Sequence, residues 1–129
     1  MVERIIGLGM DVVEIKRVRQ LWDEHRERFL EKIFHENEKN YALNQADPVI
    51  SFAARFAAKE AASKAFGTGI GAELGWLDME VVRKANERPE LVLHGKGVEL
   101  AEKRGIHRIL LTLTHTNEYA AATVILIAS

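Results

Sequence analysis

The chain has 129 residues, 47% hydrophobic and 29% charged, with a formal net charge of −1. That suffices for one domain, spanning 1–129, around one modest core, and it leaves no overall field that would draw in nucleic acid. The lack of cysteine excludes disulfides, thiolate catalysis and zinc–thiolate centres and fits a cytoplasmic protein.

No apolar run reaches the roughly 18 residues that a membrane helix needs. The opening "MVERIIGLGMD" lacks the basic and long apolar regions of a signal peptide. Residues 4–10, "RIIGLGM", predict a short buried strand interrupted by glycines. From Asp11 the period turns helical, with Ile15, Val18, Trp22, Phe29 and Ile33 near one face and a break expected between Glu24 and Arg28. Residues 35–44 predict a short helix with His35 near its start. Asp47 before Pro48 marks a turn or an N-cap. Residues 49–66 predict an alanine-rich helix, stopped by Gly67-Thr68-Gly69. Residues 75–84 alternate as a strand with Leu77, Met79 and Val81 on one side. A turn at 85–90 leads to a second strand at 91–95, then a helix at 96–105 stopped by Gly105. Residues 108–114 and 118–128 are strands separated by so short a link that they predict an antiparallel hairpin. Helices in the middle and strands toward the end indicate an α+β domain.

The alanine-rich helix carries the main question. Ala54, Ala58, Ala61 and Ala65 form a narrow stripe that lets another backbone come close. Arg55, Lys59, Glu60 and Lys64 occupy the rest. Arg55 and Lys64 stand about 13 Å apart along the axis, at 1.5 Å per residue, and could grip two ends of an extended ligand. The structural alternative is a packed helix with surface ion pairs Glu60–Lys64 and Arg55–Lys59. "GTGIG" is no Walker loop, because no lysine follows its second glycine. Asp11 stands where the first strand gives way to the first helix, as an N-cap or a functional acid. His115 ends the strand "LTLTH" among Thr114, Thr116, Asn117 and Glu118.

"GLGMDVVEIKRV", "FAARFAAKEAASKAFGTGIG" and "LTLTHTNEYAAATV", in this order and at this length, resemble the short bacterial holo-(acyl carrier protein) synthases of the 4′-phosphopantetheinyl transferase family. The resemblance covers nearly the whole chain and is weakest over 19–50 and 83–107. It implies a small antiparallel sheet packed with helices, assembled as a homotrimer with active sites between subunits. It implies transfer of the phosphopantetheine arm of coenzyme A to a serine of acyl carrier protein, in support of fatty acid biosynthesis. Attack at phosphorus within a diphosphate needs charge neutralisation more than covalent help. By the resemblance, Asp11 and Glu60 are the ligands of a magnesium ion, with manganese as the alternative. Lys64 is set by the diphosphate, Arg55 by the nucleotide, and Gly67, His115 and Thr116 line the coenzyme A pocket. The 86–89 turn corresponds to a loop against the adenine. The base that takes the serine proton stays open between a water held by Glu60 or Asp11 and His115.

Acyl carrier proteins are small and acidic, so a local basic face is expected. Lys16, Arg17, Arg19, Arg26 and Arg28 supply one, although Glu14, Asp23, Glu24 and Glu27 share the stretch. Arg17 matches the family's carrier-contacting arginine. The apolar last strand agrees with a covered, oligomeric sheet. A nucleotide- or carrier-binding module without catalysis, and a purely structural oligomer, are the alternatives from other classes.

Overall fold

Alanine at Ala57, Ala58, Ala61 and Ala62 leaves so little side chain that the helix holding them is wholly enclosed on that side. The computed structural model describes residues 2–84 and 86–129. Its elements run β1 (Arg4–Glu14), α1 (Ile15–Ile33), α2 (Glu36–Leu43), α3 (Pro48–Phe66), a single 3₁₀ turn (Trp76–Asp78), β2 (Met79–Val82), β3 (Glu90–Leu93), α4 (Lys96–Arg104), β4 (Ile106–His115) and β5 (Tyr119–Ala128). β1, β5 and β4 form an antiparallel sheet in that order, and β2 and β3 a separate antiparallel pair. The α+β architecture stands as expected. Position 85 of the expected 85–90 turn lies outside the described residues.

α3 lies on the sheet with almost no space between. A Cβ added at Gly9 would overlap the Ala61 carbonyl oxygen, and one at Gly7 the Ala65 carbonyl oxygen. The alanine stripe therefore faces the bare backbone of β1. α3 starts cleanly, because Asp47 accepts a hydrogen bond from the Val49 amide at 3.1 Å and Pro48 takes the first turn. It stops at Gly67 with φ of 78°, a left-handed conformation that suits glycine. Phe29, Phe34 and Phe52 pack edge to face or tilted around the same core. α1 is interrupted at His25 (φ −139°, ψ 37°), inside the expected break.

Three expectations are corrected. β1 runs on to Glu14 instead of ending near Met10, because Val12 and Val13 keep pairing with Ala121 and Ala120 of β5. Nor is it buried on both sides. Residues directly opposite in an antiparallel pair share a face, and the face away from α3 exposes Ile5 (68%), Leu8 (66%), Met10 (60%) and Val12 (54%). The 75–84 strand begins only at Met79, since Asp78 folds back to accept a hydrogen bond from the Gly75 amide at 2.8 Å; Leu77 is left exposed while Met79 and Val81 are buried. No helix among the described residues is long and apolar enough to cross a membrane.

Candidate active site

The extension of β1 places Asp11 inside the strand, in one row with Ala122 and Leu113, on the face that α3 covers. Its carboxylate accepts a hydrogen bond from Lys64 Nζ at 2.9 Å, and the same ammonium donates to the Met10 carbonyl at 3.3 Å. Glu60, one turn before Lys64 on α3, is half-buried beside them. Burial and then the Asp11 charge push the Glu60 carboxyl above its ordinary value, while Lys64 and Arg17 pull the other way. Arg17 itself is exposed on the first turn of α1. The hydrogen bond to Asp11 raises the Lys64 ammonium in turn. Asp11, Glu60, Lys64 and Arg17, separate in sequence, thus form one electrostatic cluster.

The surface ion pairs of the structural alternative are absent among the described residues. Lys59 is fully buried and donates to Glu38 at 2.8 Å and to the Ile33 carbonyl at 2.5 Å. Arg55 is also buried, and burial pulls its guanidinium below the usual value. It stacks over Tyr41 at 4.3 Å and donates from Nη1 to Ser51 Oγ at 2.7 Å. Among the described residues, its Nε and Nη2 are enclosed without a hydrogen-bond partner. A buried donor in that state is costly, and more so when charged. Arg55 lines an open pocket of about 470 Å³ with Tyr41, Ser51, Arg83 and His115. Two guanidinium groups and an imidazole around one cavity suit an anion.

Two groups of expected residues are therefore assembled, and they are distinct. Asp11, Glu60 and Lys64 form one; Arg55 and His115 form the other, because His115 stands on β4, at the opposite edge of the sheet from Asp11 on β1. Thr116 closes the hairpin turn, its hydroxyl accepting from the Glu118 and Tyr119 amides at 3.1 and 3.0 Å. Gly67 lies beyond Ala65, level with Gly7 on β1. Six residues of strand, about 20 Å, separate that level from the row of Val13 and His115. Tyr41 and Arg83 went unnoticed in the sequence. Arg83 follows β2 with no motif around it, and Tyr41 reads as one apolar position of a short helix.

The model of the 4′-phosphopantetheinyl transferase superfamily matches residues 7–124. The chain belongs to this superfamily. Within it, the holo-[acyl-carrier-protein] synthase of Chlamydia pneumoniae is 44% identical over 124 residues, covering 96% of this chain and 98% of that protein. The crystal structure of the Neisseria meningitidis holo-[acyl-carrier-protein] synthase superposes with a TM-score of 0.88 at 30% identity, covering 95% of this chain and 98% of that one. The Bacillus anthracis holo-(acyl-carrier-protein) synthase in complex with CoA (3′,5′-ADP) gives a TM-score of 0.81 at 37% identity, covering 97% and 98%. The superfamily match spans both clusters, since Asp11, Arg55, Glu60, Lys64 and His115 all fall within it.

Proposed function

We infer that this chain is a holo-[acyl-carrier-protein] synthase, moving the 4′-phosphopantetheine group of coenzyme A onto a serine of apo-acyl carrier protein. The observation that carries the reading is the Asp11–Glu60–Lys64 cluster, in a chain matched along nearly its whole length by enzymes of that name. The serine hydroxyl oxygen bonds to the phosphorus that bears the pantetheine arm. The bond from that phosphorus to the bridging oxygen breaks, and adenosine 3′,5′-bisphosphate leaves.

The donor set fits a hard divalent cation. Two carboxylates stand beside one exposed lysine, and burial and then the Asp11 charge raise the Glu60 carboxyl. Asp11 and Glu60 would hold magnesium, with manganese as the alternative; when bound, the ion neutralises the diphosphate. Lys64 is more than half exposed and reaches outward from Asp11, placed to donate to a leaving phosphate oxygen. Arg55, with Arg83 and His115, supplies an anchorage for the phosphorylated nucleotide end. His115 sits with the nucleotide anchor, away from Glu60, so an acid-held water is the better-placed base and His115 the second choice.

Thr116 serves by holding the turn that presents His115. Gly67, which adds no side chain beside Lys64, belongs with the diphosphate end. Coenzyme A would bridge subunits, with Asp11, Glu60, Lys64 and Gly67 from one copy and Arg55, His115 and Thr116 from its neighbour. The uncovered apolar face of β1 supports a homotrimer built through this sheet. Arg17, exposed beside Glu60, is the carrier-protein contact, and the whole reading places the enzyme in the cytoplasm, in fatty acid biosynthesis.

Mass spectrometry of apo-acyl carrier protein after incubation with the chain, coenzyme A and magnesium tests the reading. A gain of one phosphopantetheine is expected. An unchanged carrier, with coenzyme A still bound to the chain, would reduce it to a binding protein.

A further inference from the structure

A second group of ligand-type side chains lies on another side of α3. His35 stands just before α2, Glu80 on β2, and His94 in the segment after β3. One ligand atom from each lies within 4.8 Å of the other two. The His35 and His94 rings stack with centroids 4.6 Å apart at 38°. His94 Nε2 lies 2.7 Å from Glu80 Oε1, on a carboxylate only 8% exposed, while the His94 side chain is 42% exposed.

We propose that His35, Glu80 and His94 form a separate site for a transition-metal cation of the zinc type. A single imidazole is enough to partner the enclosed Glu80 carboxylate. Among the described residues, the second ring has no acid of its own. Two imidazoles and a carboxylate, converging from three elements, are a ligand set. The His35 ring nitrogen Nε2 is bonded to the Leu77 carbonyl at 2.8 Å. A carbonyl only accepts, so Nε2 carries the proton and Nδ1 the lone pair. Ligating histidines are commonly oriented by such a bond. A cation would take the place of the hydrogen bond between His94 and Glu80. Zinc–ligand bonds of about 2.0–2.2 Å would draw the three groups together by small side-chain rotations, and the open side leaves a coordination position for water. Nitrogen-rich ligation favours zinc, cobalt or nickel and disfavours magnesium. The cation would tie the start of α2 to β2, and with them Tyr41 and Arg83, two walls of the nucleotide pocket.

Titration of the metal-free full-length chain with zinc chloride, in a magnesium excess that saturates the Asp11–Glu60 cluster, decides it. One tight zinc site and a raised unfolding temperature are expected. H35A and H94A should each weaken zinc by about tenfold or more, and D11N and E60Q should leave it unchanged. Where H94A fails to fold, H94Q replaces it, and cobalt substituted into the wild-type chain reads nitrogen ligation directly from its visible spectrum. No zinc binding by the wild type, undiminished binding in both histidine variants, or loss in D11N or E60Q would each overturn the proposal.

Discussion

α3 carries two lysine–carboxylate pairs five residues apart, and they behave differently. Lys59 and Glu38 are both fully enclosed. Glu38 accepts from Lys59, from the His35 amide at 2.9 Å and from the Val81 amide at 2.9 Å, so its oxygens are satisfied by α2, α3 and β2 together. Lys64 and Asp11 are 53% and 16% exposed, and a second acid, Glu60, stands beside them. The first pair is closed; the second is open, with a further acid, Glu60, and the exposed Arg17 beside it. A sealed pair fixes a structure, whereas an open one is accessible to a charged ligand.

The contrast can be broken most forcefully at the sealed pair. K59M leaves Glu38 enclosed without its counter-charge, and unfolding in urea should show a loss of about 3–5 kcal/mol. A marginal loss would mean that the network relaxes and is no structural staple. At the open pair the order reverses. E60Q should lower kcat/KM for carrier modification by more than about 100-fold, beyond the usual loss from an outer-sphere partner, with a urea midpoint at neutral pH no lower than wild type. Wild-type turnover by E60Q would place both pairs on the same structural footing. R17A should raise the KM for acyl carrier protein roughly 2- to 5-fold, the worth of one exposed ion pair, and leave coenzyme A affinity unchanged. Equal loss of both would make Arg17 a support for Glu60 instead.

The smallest effect is a slope. The Glu60 carboxyl of the folded chain keeps its proton to higher pH than the unfolded chain does, whose ordinary value is 4.5. The folded state therefore binds more protons above that pH, and the contribution of Glu60 to stability declines as pH rises through its folded value. Without divalent cations, wild type should lose stability relative to E60Q across that window, read as the difference in urea midpoints. Parallel curves would remove the electrostatic argument for the cluster.

The two regions were unequally readable in sequence. The open one was visible because the stretches around Asp11, Glu60 and Lys64 are long and distinctive, and because alanine at three- and four-residue spacing declares a close approach. Its partner in that approach, Gly7 and Gly9, was present too, but nothing local tied them to Ala65 and Ala61. The sealed region was misread. Lys59 looks like any charged residue of a helix surface, and only tertiary structure brings Glu38 to it across 21 positions. Local patterning likewise stopped β1 too early, because glycine and Asp11 resemble a terminus until the pairing with β5 is known. His35 and His94 are solitary in sequence and meet only through the packing of α2 on the β2–β3 pair.

The contact of Gly9 with Ala61 has a bearing on the chemistry itself. Asp11 is two residues beyond the first, and Glu60 one residue before the second. The gap between the two acids is therefore gauged by main chain touching main chain, a stiff ruler compared with any rotating side group. One methyl at position 9, far too small to disturb the surface, would prise the strand from the helix and widen that gap at the point where the reaction can least tolerate it.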